Sequence, residues 1–523
     1  MRTIKALLLL LLVLPATGCK QITALFHGGR VTSEKFICHI DASKVPGMLI
    51  ISPDSRHVAY LAKAGEKWSV VMDGKEGKSY DDISAVVFSP DSRRVAYLAK
   101  AGDKWFAVVD GNEGKPYDDF ANSDRFSKMS PAFSPNSQRV AYIARTGDKW
   151  FTVVDGNEEG PFDDISPWGL DFSPDSQQVA FHVRVGAKQF AVINGKEEKH
   201  YDSVDRVVFS KDSRRHAYGA GNGGKSFFVV DGKEEKSYDA IGRVFFSPDS
   251  RRMGYMVGSF EAGADGKKLK LAFVVDGVEG TFYDLIVPGS FSFSPDSRRV
   301  AFSAIAGEKQ FVVVDGKQGN PFDITFEAPG RIRDSGIMFS PDGSRVAYVA
   351  ATGLKRVVVV DGVGEKPYDE IVRLVFSPDS RRLAYLAKDS DKYFLVTDGI
   401  EGKSYDNIGL PSNLHFSPDS RRIVYVAAIG GKSLMVVDGK EGKSYVNILW
   451  PIFSPDGRHL AYAAFDGGIC HVVVDGKEGQ PYGRDPEDQM LFDSANDLHY
   501  LVRRFSTNGD NTYDLYLVEE TVY

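Results

Sequence analysis

The sequence predicts an all-β repeat protein, and three observations predict it. The segment FSPDSRRVAY (88–97) recurs from near one end of the chain to the other, with its proline or equivalent at Pro53, Pro90, Pro135, Pro174, Lys211, Pro248, Pro295, Pro341, Pro378, Pro418 and Pro455. The mean spacing is about forty residues, a period that marks repeat architectures. Ten copies also carry an Asp-Gly pair, as at Asp110-Gly111, with Asn194-Gly195 in another, and nine carry a later Tyr-Asp or Phe-Asp, as at Tyr117-Asp118. Dense glycine, proline and β-branched residues oppose the helical solenoids that share this period. A decayed further copy, FDSANDLHY (492–500), brings the repeats to twelve units.

Within unit two the elements follow in order. AVVF (85–88) is a short apolar strand. SPDS (89–92) is a tight turn, because proline pre-sets φ and Asp and Ser side chains bond back to nearby amides. VAYLAK (95–100) is a second strand, apolar on both faces, as in a sheet covered on both sides. AGDK (101–104) turns into a third strand, WFAVV (105–109), and Asp110-Gly111 is a strong hairpin signal. PYDD (116–119) is expected to begin a short fourth strand. Four short antiparallel strands per unit, stacked with both faces covered, describe the blades of a β-propeller. About twelve blades exceed the usual four to eight of one ring. Two tandem propellers are therefore expected, over 35–288 and 289–523, with an alternative boundary near 325–335 and one large ring as the alternative architecture. The last unit lacks a fourth strand, and 36–40 is expected to supply it from the N-terminus, so that no sheet edge stays exposed.

These units, FSPDSRRVAY followed by VVDG, resemble the TolB-type and WD-repeat-like propeller repeats of bacterial envelope proteins. The resemblance covers about residues 35–523 and implies the fold. The family usually has glycine after Pro-Asp; this chain keeps it at Gly343 and Gly457 and has serine at most other copies. No segment corresponds to the additional α/β domain of TolB itself.

The N-terminus reads as an export signal. Arg2 and Lys5 precede an apolar run (6–14) too short to span a bilayer. Pro15-Ala16-Thr17-Gly18-Cys19 then resembles the lipobox of bacterial lipoproteins, which implies cleavage after residue 18 and lipidation of Cys19. Residues 19–34 are expected to be a tether. Lys20, in place of the aspartate that retains such proteins at the inner membrane, implies the outer membrane, on its periplasmic or surface side. In an exported chain Cys38 and Cys470 invite a disulfide, with two buried thiols as the other reading.

The net charge of −7 argues against a nucleic-acid partner. No H-E-x-x-H or G-x-S-x-G constellation occurs, the histidines are scattered, and no calcium-loop pattern appears, so no catalytic residue, metal site or cofactor is predicted. Paired arginines such as Arg93-Arg94 recur in the turns, read as a rim paired with neighbouring acids rather than as a basic ring. The irregular loops fall on the opposite face, where binding is expected on a rigid scaffold. Candidate residues there are Trp168, Trp450, the Arg125-Phe126 pair, Lys128, Arg331 and Arg333. Trp68, Trp105 and Trp150 begin third strands and are expected to pack. The expected function is a non-catalytic, lipid-anchored envelope scaffold that binds a protein or a cell-wall component. The alternatives are an enzyme or glycan-binding module with its site in a central channel, and a purely structural spacer.

Overall fold

The computed structural model describes residues 25–27, 30–41, 49–121, 131–166, 169–263, 266–324, 336–409, 413–482, 490–505 and 512–523. Its regular elements are antiparallel strands in up-and-down sheets. Unit two shows the pattern. Strand Asp82–Phe88 pairs with Val95–Ala101, which pairs with Lys104–Val109, which pairs with Asn112–Glu113. The chain is an all-β protein with the sheet order of propeller blades.

The turns explain the motif. Ser89 Oγ donates to Asp91 Oδ1 at 2.6 Å and accepts from Arg94 N at 3.0 Å, closing the loop on itself. Ser92 sits at φ 64°, the left-handed region that glycine adopts without strain. Its equivalent one unit on, Ser137, accepts from Asp91 N at 2.9 Å. The same bond joins Asp54 to Ser92, Asp175 to Ser213 and Asp342 to Ser380. A serine at positive φ costs roughly 1–2 kcal/mol against glycine. A hydroxyl bond to the neighbouring unit contributes about 1 kcal/mol. The two nearly cancel, which accounts for serine where the resembled family has glycine. In the Asp-Gly turn both residues have positive φ, 52° at Asp110 and 79° at Gly111, the two-residue hairpin expected for that pair.

The fourth strand differs from the expectation. It runs from the Asp-Gly turn and ends at the tyrosine, where Tyr117 bridges Trp105. Asp119–Phe120 already pairs with the second strand of unit three. The aspartates thus belong to the crossing between units.

The second strands are buried on both sides, and their two faces feed two different cores. Tyr97 and Ala99 join a cluster with Ala59 and Val70 of unit one, while Leu98 joins Val140 and Tyr142 of unit three. Buried clusters join each unit to the next, through to units eleven and twelve. A further cluster joins Leu501 and Leu515 of unit twelve to Val58 and Val71 of unit one.

The N-terminal strand completes the last sheet, as expected from the missing fourth strand. Arg30–Asp41 pairs antiparallel with Thr512–Val522, from Arg30↔Val522 to Asp41↔Thr512. The strand is longer than the expected 36–40, and Leu25–His27 folds back on it, so part of the expected tether is strand.

Candidate functional site

Most of the recurrent charge on the turn face is used in holding units together. Arg94 Nε donates to Asp110 Oδ2 at 2.8 Å, and its Nη1 donates to Ser137 O and Gln138 O of the next unit, both at 2.9 Å. Its guanidinium also lies 5.2 Å over the Phe133 ring of that unit, a cation–π distance. Arg139, Arg252 and Arg299 repeat the ion pair and the ring contact. His57 and His459 take the arginine's place against Asp73 and Asp475, at 2.7 and 2.6 Å. The reading of a rim paired with neighbouring acids therefore holds for the second arginine of each pair. The first arginines point outward: the side chains of Arg298, Arg381 and Arg421 are 86, 86 and 85% exposed.

The opposite face carries its own clasp. Asp163 accepts from Lys149 Nζ of its own unit and from Gly186 N of the next, each at 2.6 Å. These two donors hold its carboxyl below the usual carboxylate range. At Asp284 the Gly307 amide and the Lys270 ammonium lower it to about 2.

The residues expected to bind fare differently. Cys19, Trp168, Arg125, Phe126, Lys128, Arg331 and Arg333 lie outside the described residues. Trp450 has φ 53° at a register shift in its strand and packs against the core between units eleven and twelve, so packing rather than presentation accounts for it. Trp68, Trp105 and Trp150 pack as expected, each under a Lys or Arg cation. The Cys38–Cys470 disulfide is not formed. Cys38 is buried between units twelve and one, and Cys470 between units eleven and twelve, so the expected bond would have to cross the last sheet. Burial pushes the Cys38 thiol up to about 12.

Two features escaped the repeat reading. After the Asp-Gly pair most units have Lys or Asn, yet Val278, Val363 and Ile400 stand there, 71, 71 and 74% exposed. They share the face of the outward arginines. The signal was in the sequence, as apolar residues at a polar repeat position. The second feature is a cavity of about 690 Å³ at the first strands of units four to six. Asp171, Asp205, Arg206 and Arg243 line it, beside Gly219. The signal here was charge on first strands that most other units keep uncharged, Arg373 of unit nine being an exception. Next to it, His182 Nδ1 is buried with no hydrogen-bond partner, and burial lowers its pKa.

No family model matches the chain, and no curated protein matches it. Among solved structures it is similar to TolB from Acinetobacter baumannii, at 14% identity over 58% of this chain and 78% of that one, with a TM-score of 0.22. It is also similar to the β-propeller domain of the Trilobed protease from Pyrococcus furiosus, at 16% identity over 51 and 94%, TM-score 0.24. A third is the GH74 enzyme of Niastella koreensis, at 14% identity over 89 and 84%, TM-score 0.25. These neighbours are propeller proteins and an enzyme, and at such scores none of them argues for an activity or a partner. The propeller-type architecture of this chain rests on its own repeat and sheet order.

Proposed function

We propose that this chain is a non-catalytic, lipid-anchored scaffold of the bacterial envelope, a single closed ring of twelve blades that binds a protein partner. The one-ring reading replaces the two tandem propellers as the better supported. Supporting it, unit six packs on unit seven across the expected boundary at 288, through Phe273, Phe291 and Phe302. Units seven and eight share a core across the alternative boundary, and unit twelve packs on unit one. The anchor at Cys19 is supported by the charged and apolar residues before it.

The observation that carries the binding reading is the trio Val278, Val363 and Ile400, exposed where the repeat otherwise keeps Lys or Asn. Exposed aliphatic side chains on the same face as outward arginines are the chemistry of a protein–protein contact. The rigid clasps below them supply a preformed surface. The second arginines and the Asp-Gly aspartates of this face are engaged with one another, which leaves them to structure rather than to chemistry.

The test is in-cell crosslinking of the tagged protein, followed by capture, with a Val363→Glu/Ile400→Glu variant beside it. A partner recovered with the parent chain and lost with the variant supports the scaffold and its face. Equal recovery with both removes that face from the proposal. Cys19→Ala should release the protein into the soluble fraction; unchanged membrane association would refute the anchor.

A further inference from the structure

The cavity at units four to six arises where the repeat is broken at several positions together. Arg206 and Arg243 both stand three residues before the phenylalanine of their motifs, where unit two has Ala85. Arg206 is answered from the preceding unit: Asp171, one residue before its own phenylalanine, accepts both its Nε–H and Nη2–H. The corresponding position for Arg243 is Val208, which has no acceptor to offer. Arg243 makes no hydrogen bond or ion pair among the described residues, and neither does the carboxylate of Asp205. The cavity is therefore lined by one arginine and one aspartate, both exposed and both without a side-chain hydrogen bond or ion pair among the described residues.

Room is provided by Gly219. The same position in other units is Leu98, Ile143, Leu386 or Val426. A Cβ on Gly219 would lie 2.5 Å from Asp205 Oδ2 and 2.9 Å from Ile241 Cδ1. Any side chain there would displace the Asp205 carboxylate, so the glycine and the aspartate belong to one arrangement.

We propose that this cavity binds a small organic carboxylate that carries a hydrogen-bond donor next to its carboxylate group. Arg243 takes the carboxylate with its planar fork, and Asp205 accepts from the donor. The charge balance selects this class. Asp171 is already neutralised by Arg206, so the lining presents one free positive and one free negative group. A phosphate dianion would face the Asp205 carboxylate with no second cation to offset it. A metal ion finds no cluster of three ligating side chains among the described residues. The volume suits a small molecule. The donor can be the ammonium of an amino acid or the hydroxyl of a hydroxy acid or sugar acid. The inference is independent of the scaffold reading, which concerns the turn face.

The test is ligand-observed NMR on the purified full chain, with glycine, alanine, lactate and gluconate as probes and ethanolamine and methyl lactate as carboxylate-free controls. At least one carboxylate probe should bind and both controls should not. Arg243→Met should weaken that probe about ten- to a hundredfold, the scale of a charged hydrogen-bonded pair. Arg243→Lys, which keeps charge without the fork, should restore part of it. Asp205→Asn should weaken an amino acid more than a hydroxy acid, which identifies the donor. Binding by none of the probes, or binding unchanged in Arg243→Met with an unaltered melting temperature, overturns the proposal.

Discussion

Arg30 Nη1 donates to Glu520 Oε2 at 2.7 Å across a sequence separation of 490 residues. Both side chains are nearly fully buried, at 3 and 1% exposure. Arg30 Nη2 also donates to Lys477 O of unit eleven at 3.1 Å, and Tyr500 Oη donates to Glu520 Oε1 at 2.8 Å. The Arg30–Glu520 pair thus ties the strand Arg30–Asp41, the last strand and the preceding unit.

Removing one partner leaves the other charge buried. Arg30→Met should destabilise the fold by about 3–5 kcal/mol, read from the shift of the denaturant midpoint. Arg30→Met with Glu520→Leu should recover part of that loss, because no charge is stranded, but not all of it, because Tyr500 loses its acceptor. A single variant as stable as the parent would show that this pair does not hold the closure.

Serine and glycine in the motif turn should not be interchangeable in both directions. Ser137→Gly should change stability by less than about 1 kcal/mol, since relief of the left-handed strain offsets the lost bond to Asp91. Gly343→Ser should destabilise more, because its Cβ would collide with the Asp296 carboxylate. Thermal melting of both variants checks the asymmetry.

Acid should loosen the clasps between units. The carboxyls of Asp163 and Asp284 have lowered pKa values in the fold, so their stabilisation is present above the unfolded value near 4. For Asp284 that contribution is lost as pH falls from about 4 through about 2. Asp284→Asn should lower the melting temperature at pH 7 and have a much smaller effect at pH 2, where the group is protonated in the unfolded state and partly so in the fold. Equal effects at both pH values would mean that charge is not what the clasp uses.

The two thiols should be silent in the folded protein. Cys38 and Cys470 are buried, and burial raises the Cys38 thiol to about 12, so little thiolate exists at neutral pH. A thiol reagent should label both only after denaturation, and reductant should leave the melting temperature unchanged. A reductant-sensitive melt would establish the disulfide instead.

Ring closure can be seen directly. Projection images of the purified protein should show one ring of twelve blades. Two smaller rings would restore the boundary near 288 or near 325–335.

By itself the sequence determined the unit. Its strands, its proline-aspartate-serine turn and its Asp-Gly hairpin are local, set by φ preferences and by side chains that bond within a few residues, as Ser89 does with Asp91 and Arg94. It also determined that the N-terminal strand completes the last sheet, because a missing fourth strand is visible in the repeat count. What Arg94 does for Phe133, or Asp163 for Gly186, only the tertiary structure decided. Those partners lie in the next unit and meet only at the angle at which sheets pack. The identical motif residues cannot reveal that angle. The cavity belongs to the same class: Gly219, Asp205 and Arg243 look like unrelated lapses of a repeat until packing brings three first strands side by side.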